Sequence, residues 1–310
     1  MSRLSEDASG VYVISATPFT EDGRLDLAST DRLVDFYLEK GATGLTVLGM
    51  MGEAPKLTAE EARIFVQRVV ARVEGRIPVV VGVSAPGLAP MRELAHNVMD
   101  QGAAGVMVAP PSTLRTDQQI YDYYESVAEA LGPDVPFVLQ DYPLTTGVQI
   151  ATPVIVRIVQ ALPTCVMLKH EDWPGLAKIT ALRRASETEG LRRISILVGN
   201  GGLFLPEEIG RGADGAMTGF AYPEMMSDVW KAYSSGDPEQ AHDLFDAYLP
   251  LARYEQQPGL GLAVRKYVLA KRGAIASAAL RRPGPKLSRA DIADVERLIE
   301  RQTRRLQHLA

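Results

Sequence analysis

Gly102-Ala103-Ala104-Gly105-Val106-Met107-Val108-Ala109 reads as the end of a helix running into a buried strand, and this joint decides the fold. The first glycine suits the left-handed residue that stops a helix. The apolar run after it shows no polar alternation, as a strand covered on both faces would. The same joint recurs as Gly41-Ala42-Thr43-Gly44 and Gly212-Ala213-Asp214-Gly215. Equivalent joints at separate places mark one repeating architecture. Outward from them, strand-like runs rich in Val, Ile and Leu fall at 11–16, 44–48, 78–82, 105–109, 136–140, 165–169, 195–199 and 215–219. Amphipathic stretches alternate with them, at 58–73, 88–100, 117–131, 152–161, 175–186 and 224–234. Thr58-Ala59-Glu60-Glu61 opens the first of these with a capping residue and early acids.

Eight such units predict an α/β chain folded as a (β/α)8 TIM barrel. A doubly wound open sheet would want Gly-x-Gly-x-x-Gly after the first strand, where the chain has Ala16-Thr17-Pro18-Phe19-Thr20. After residue 235 the strand signals cease, and 237–254, 260–272 and 288–306 read as helices. The expected organisation is a barrel over 1–235 and a C-terminal helical extension over 236–310.

Composition narrows the function. The 310 residues are enough to bury a full core without a disulfide or metal staple, and the single Cys165 has no partner to bridge. The 33 Lys+Arg against 38 Asp+Glu give a formal charge of -5, which argues against nucleic acid as the partner. From Arg265 to Arg305 there are 12 basic and 4 acidic residues, but acids such as Asp291, Glu296 and Glu300 interrupt the run, so it reads as a solvated helical face. The apolar runs are too short to span a bilayer, and residues 1–10 carry no apolar leader. A cytoplasmic protein is expected, with no membrane partner. His96, His170, His242 and His308 show no ligand spacing, so no metal is expected.

Barrel active sites sit at the C-terminal ends of the strands. There, Lys169 follows the apolar run Cys165-Val166-Met167-Leu168. Alternation places it on the side of Cys165 and Met167. If that side is the lumen, a desolvated amine yields its proton more readily and becomes a nucleophile for imine chemistry. The plainer alternative is a lysine paired with Glu171 or Asp172 at the rim. Gln140 and Tyr142 share a face of the preceding strand, where a phenol could move protons. Gly49-Met50-Met51-Gly52-Glu53 could bring backbone N–H groups to a carboxylate, with Met50 and Met51 as apolar wall. Gly199-Asn200-Gly201-Gly202 lies where many barrels hold phosphate, although no basic residue follows before Arg211. Thr17 and Thr218 end the first and eighth strands.

Taken in order and spacing, these motifs resemble the dihydrodipicolinate synthase / N-acetylneuraminate lyase family of class I Schiff-base lyases. The resemblance runs from Gly10 to at least Leu306. It rests on Ala16-Thr17-Pro18-Phe19, Gly49-Met50-Met51-Gly52-Glu53 with Leu57-Thr58-Glu60-Glu61, Leu168-Lys169 and Gly199-Asn200. It implies a barrel with a helical extension, a homo-oligomer (tetramer or dimer), and Lys169 as the lysine that condenses with pyruvate or another 2-oxo acid. The imine serves as electron sink, so no cofactor is implied. The Met51 and Gly52 N–H groups, with Thr17, would hold the carboxylate. Met50, Gln140, Gly199 and Thr218 would line the substrate.

The departures from the family pattern are specific. The family loop is usually Gly-Thr-Thr-Gly-Glu, and Met50 and Met51 replace both threonines. Gln140 stands where the family places its catalytic tyrosine, and Tyr142 two residues on is the candidate substitute. Ser112 and Thr145 occupy the places of the synthases' neighbouring-subunit tyrosine and second-substrate arginine. The lysine and the carboxylate loop remain, while the synthase apparatus for a second substrate is absent. Three readings follow: an aldolase or lyase acting on a 2-oxo acid, a sugar-acid dehydratase of the same fold, and a barrel that binds a 2-oxo acid without turning it over.

Overall fold

The computed structural model describes residues 3–173 and 175–309. Eight parallel strands close into a barrel in the order of the sequence. They are β1 (Gly10–Ile14), β2 (Gly44–Val47), β3 (Val79–Gly82), β4 (Gly105–Val108), β5 (Phe137–Asp141), β6 (Cys165–His170), β7 (Ser195–Val198) and β8 (Gly215–Ala216). The helices are α1 (Leu27–Glu39), α2 (Ala59–Val73), α3 (Leu88–Asp100), α4 (Asp117–Leu131), α5 (Pro143–Thr146), α6 (Thr152–Ala161), α7 (Leu176–Thr188), α8 (Leu205–Gly210) and α9 (Pro223–Ser234). After them come α10 (Pro238–Glu255), α11 (Gly261–Lys271) and α12 (Arg289–Gln307). None of the described helices is long and apolar enough to cross a membrane.

The joints behave as their glycines require. Gly41, Gly102 and Gly212 have φ of 83°, 101° and 99°, the left-handed values that end a helix. Gly215 answers a different need. A Cβ there would stand 1.9 Å from the Gly10 carbonyl oxygen, so only glycine lets β8 close against β1. The strand is correspondingly short, and the expected 215–219 run continues as separate backbone bonds, Met217 N–H to Val198 O and Ile14 N–H to Thr218 O.

Two apolar layers follow from the strand period. Outward residues such as Val81, Val106 and Leu168 pack under the helices, and Tyr12, Ile14, Val80, Met107, Val138, Met167, Leu197 and Met217 fill the lumen. Leu4 joins the lumen cluster from the N-terminal segment, its N–H bonded to Ala104 O.

One expectation is corrected here. Pairing of β6 with β5 steps from Phe137↔Cys165 to Val138↔Met167, so one extra residue bulges β6 at Val166. Simple alternation fails across it. Cys165 belongs to the outer layer and is fully buried there, while Met167 and Lys169 face the lumen. The thiol therefore does not pack beneath the lysine. Helix α1 was also absent from the sequence reading, although Asp26 caps it by accepting the Ser29 N–H and it buries Leu33, Val34 and Tyr37.

The C-terminal segment folds back over the strand ends. Lys266 of α11 donates to Glu53 Oε1 at 2.6 Å, and Glu53 Oε2 accepts from the Arg281 N–H and from Lys56. Phe19 lies between two cations, 4.5 Å from Lys266 Nζ and 4.5 Å from Arg281 Cζ. The loop after β2 is thereby tied to the extension by buried charge.

Candidate active site

A cavity of about 800 Å³ opens at the C-terminal ends of the strands, well within the size of small-molecule sites. Its walls bring together Met50, Met51, Gln140, Tyr142, Lys169 and Thr218. Lys169 and Glu171 are each 5% exposed, and Lys169 Nζ lies 2.9 Å from Glu171 Oε1. Gln140 Nε2 donates to the same oxygen at 2.8 Å. A carboxylate in this position can take the proton an ammonium must lose before it attacks a ketone. The rim pairing considered from the sequence is thus real, but it lies inside the pocket. Asp172, the other carboxylate considered, pairs instead with Lys178 at 2.7 Å.

Glu171 was legible in principle. Residues two apart on a strand share a face, so Lys169 and Glu171 had to point the same way. Gly199 has a packing reason to be glycine. A Cβ there would come within 2.2 Å of Glu171 Cγ and 2.5 Å of its carboxyl carbon. Gly199 therefore stands behind the carboxylate and is not a wall of this cavity.

Tyr142 caps α5 and lines the cavity. Burial pushes its phenol above the ordinary value, a hydrogen bond with Thr145 opposing. The phenol is consequently a proton donor at neutral pH and not a base. The loop after β2 forms a tight turn. Gly52 N–H donates to Gly49 O at 3.0 Å, so it is spent within the loop and is not available to a carboxylate. Thr17 Oγ1 donates to Gly52 O at 2.6 Å, which commits Thr17 to holding the loop. The Met50 and Met51 side chains line the pocket beside that turn.

The glycine-rich turn after β7 is likewise engaged. Gly201 N–H donates to Thr218 Oγ1 at 2.8 Å, Gly202 N–H to Gly199 O, and Asn200 Nδ2 to Glu171 O. This leaves little backbone for a phosphate. His170 is 1% exposed and sits outside the lumen. Its Nε2 lies 3.0 Å from Gly175 O, and Nδ1 lies 3.5 Å from Asp141, which also receives Lys178 at 2.8 Å. The histidine braces the ends of β5 and β6.

The far wall comes from the extension. Arg265 is 2% exposed, with Nε donating to Glu255 Oε1 and Nη2 to Gly219 O, both at 2.5 Å. Glu255 Oε2 accepts from the Ala221 N–H at 3.0 Å. Trp173 and Phe204 meet edge to face at the mouth, 5.1 Å between centroids. The sequence reading missed Arg265 and Glu255, because helix periodicity says nothing about a charged pair buried between α10 and α11. Among the described residues no group of three His, Cys, Asp or Glu side chains is clustered as a metal site.

Comparison with known proteins bears on the family and the fold. The model of the dihydrodipicolinate synthetase family matches residues 7–302. The chain is 29% identical over 306 residues to the L-2-keto-3-deoxyarabonate dehydratase of Azospirillum brasilense, covering 96% of this chain and 97% of that one. It is 30% identical over 246 residues to the 4-hydroxy-tetrahydrodipicolinate synthase of Pseudomonas putida, covering 78% and 81%. A crystal structure described as dihydrodipicolinate synthase from Rhodopseudomonas palustris superposes with a TM-score of 0.95 at 54% identity, covering 97% of this chain and 100% of that one. The fold, the match along nearly the whole chain and the identity to that structure show that the chain belongs to the dihydrodipicolinate synthetase family.

Proposed function

We propose that the protein is a Schiff-base dehydratase acting on a 2-oxo-3-deoxy sugar acid. The observation that carries this reading is the buried cluster of Lys169, Glu171 and Gln140, with a carboxylate against the amine where the family usually has a tyrosine hydroxyl. The dehydratase from Azospirillum brasilense supports it, being matched over nearly its full length, whereas the synthase from Pseudomonas putida is matched over less.

The steps follow from the placement. Glu171 accepts a proton from Lys169, whose free amine attacks the C2 ketone. Glu171 returns that proton to the carbinolamine hydroxyl, which leaves as water, and the iminium forms with Glu171 again a carboxylate. The iminium acidifies C3, so the Glu171 carboxylate can take a C3 proton and give an enamine. The enamine electrons expel the C4 hydroxyl, which leaves as water with the proton that Glu171 carries. Tautomerisation and hydrolysis then release the product and regenerate Lys169. Gln140 holds the carboxylate in register by donating to it. Tyr142, protonated at neutral pH, donates to a substrate oxygen from the wall. The substrate carboxylate lies at the Met50–Met51 turn, with Thr17 and Gly52 shaping that turn and Thr218 and Gly199 supporting the side behind Glu171. No cofactor enters, because the iminium is the electron sink. The protein acts as a homo-oligomer in the cytoplasm, with the small 2-oxo acid as its partner.

A second reading, aldol cleavage to pyruvate, uses the same imine with Tyr142 as the proton carrier, and Tyr142 does line the cavity. One experiment separates the two. The protein is incubated with pyruvate and borohydride and the adduct located by mass. A panel of 2-oxo-3-deoxy sugar acids is then assayed both for loss of water and for pyruvate release. An adduct on Lys169 with water loss supports the dehydratase. Pyruvate release supports the aldolase. The absence of any adduct across a panel of 2-oxo acids sinks both.

A further inference from the structure

Resting on the imine reading above and on Glu171 as its base, we propose that Lys178 is a positioning residue for the reaction. It holds Glu171 and Gln140 in register against Lys169 by tying the ends of β5 and β6 from outside the barrel. A lysine ammonium has three N–H donors, and here three acceptors meet them. Asp141 Oδ2 lies at 2.8 Å, Ile150 O at 2.8 Å and Asp172 Oδ2 at 2.7 Å. Two of these acceptors are chain neighbours of the site. Asp141 ends β5 between Gln140 and Tyr142, and Asp172 stands between Glu171 and Trp173. Successive strand residues point to opposite faces, so Gln140 enters the cavity while Asp141 points outward to α7. The link to the base is direct, because the Glu171 N–H donates to Asp141 O at 2.8 Å. A shift of Asp141 is passed to Glu171 through that bond.

The placement of Lys178 argues for a role beyond its helix. It is the third residue of α7, at a helix end whose dipole disfavours a cation. Its side chain is 10% exposed and that of Asp141 is 0% exposed. Lys178 supplies the one hydrogen bond that the Asp141 carboxylate accepts among the described residues. Oδ1 has no partner, and His170 Nδ1 stands off at 3.5 Å. Asp172 has a second tie, its Oδ1 accepting the Trp173 N–H at 2.8 Å. Without the ammonium, two carboxylates that had shared it face each other, one of them fixed in a dry interior. Their repulsion acts across the β5–β6 seam. That seam carries the Gln140–Glu171 hydrogen bond and the pairing of Gln140 with Lys169. A displacement of about 1 Å at a reacting group costs on the order of 10²-fold in rate.

The test reads proton transfer at C3 of bound pyruvate, so it does not depend on which reaction the enzyme performs. In the Lys169 imine, the Glu171 carboxylate takes a C3 proton and leaves the enamine. In D2O the carboxyl exchanges that proton with solvent through the cavity and returns a deuteron to C3. Loss of the pyruvate methyl signal in proton NMR gives the exchange rate. Borohydride reduction of a parallel sample, followed by intact mass, gives the fraction trapped on Lys169. Lys178→Met is expected to lower exchange per trapped adduct by about 10- to 100-fold, with the final adduct yield within about threefold of wild type. Val127→Ala, in the outer layer on α4, controls for lost stability. It is expected to melt lower than wild type while keeping exchange per adduct within about twofold. Exchange per adduct within about threefold of wild type in a folded Lys178→Met overturns the assignment. An equal loss in Val127→Ala overturns it too, as does a folded Lys178→Met that traps no adduct. If Lys178→Met does not fold, Asp172→Ala decides. It removes the less buried of the two carboxylate ties, and an unchanged exchange per adduct there overturns the assignment. Failure of both variants to fold also overturns it, since the tie would then serve the fold alone. Absence of an adduct on the wild type sinks the imine reading instead, and undiminished exchange in Glu171→Gln removes Glu171 as the base, so these failures are distinct from that of Lys178.

Discussion

Glu171 Oε1 lies 2.9 Å from Lys169 Nζ and accepts the Gln140 amide at 2.8 Å, so one buried oxygen serves both the amine and the amide. A group that shuttles protons at C3 and C4 is indispensable to elimination, whereas in imine formation water can take the Lys169 proton in its place, more slowly. Glu171→Gln is expected to lower turnover of a 2-oxo-3-deoxy sugar acid by about 10²- to 10⁴-fold while a borohydride-trapped pyruvate adduct still forms. Lys169→Ala is expected to show neither. Turnover within threefold of wild type in Glu171→Gln would remove the carboxylate from the chemistry.

Tyr142 gives the complementary measurement. Its phenol is held protonated by burial, so it can donate but cannot act as the base at neutral pH. Tyr142→Phe is expected to reduce kcat by less than about tenfold, far less than Glu171→Gln, because only one donated hydrogen bond is lost. The reverse order of effects would return the proton relay to Tyr142 and favour aldol cleavage.

The loop proposed to face the substrate carboxylate is held from a distance. Glu53 is 2% exposed and Lys266 is 0% exposed, and each is the other's buried counter-charge. Burial pulls the Lys266 ammonium below its ordinary value, with Glu53 opposing. Lys266→Ala leaves the Glu53 carboxylate buried with less compensation, and a loss of about 3–5 kcal/mol in stability is expected. Glu53→Leu with Lys266→Met is expected to recover much of that loss in chemical denaturation. The double variant is nevertheless expected to trap pyruvate more slowly than wild type, because Lys56 and the Arg281 N–H also hold the loop through Glu53. Full recovery of both quantities would show that the pair is only structural.

The barrel was legible because parallel strands and helix stops leave local marks. The glycine joints at Gly41, Gly102 and Gly212 and the eight apolar runs each carry their own physical reason, and the closed sheet follows from their repetition. Lys169 was legible because it ends such a run. What lay beyond reach depends on tertiary register. The bulge at Val166 turned Cys165 outward, and no feature of Cys165-Val166-Met167 announces it. The spent N–H of Gly52, the Lys266–Glu53 tie and the Arg265–Glu255 wall join residues far apart in sequence, where pattern carries no information.

Glu208 supplies a prediction about pH. Its Oε2 is buried without a hydrogen-bond partner, beside a small void walled by Asp172, Trp173 and Asn200. Burial first, then the charges of Glu207 and Glu171, push its carboxyl from the ordinary 4.5 up to about 8. The folded chain therefore keeps this proton up to about pH 8, whereas the unfolded chain releases it near 4.5. Between those values the native state binds more protons than the unfolded state, so this group's contribution makes stability fall as pH rises. Glu208→Gln mimics the protonated carboxyl and carries no such loss. The variant is expected to melt close to wild type at pH 5 and above it at pH 9, by on the order of 2–4 °C. The measurement is a pair of melting curves at each pH on the same chain. A difference that stays flat from pH 5 to pH 9 would mean that Glu208 titrates as an exposed carboxyl, its charge accommodated by water in the void.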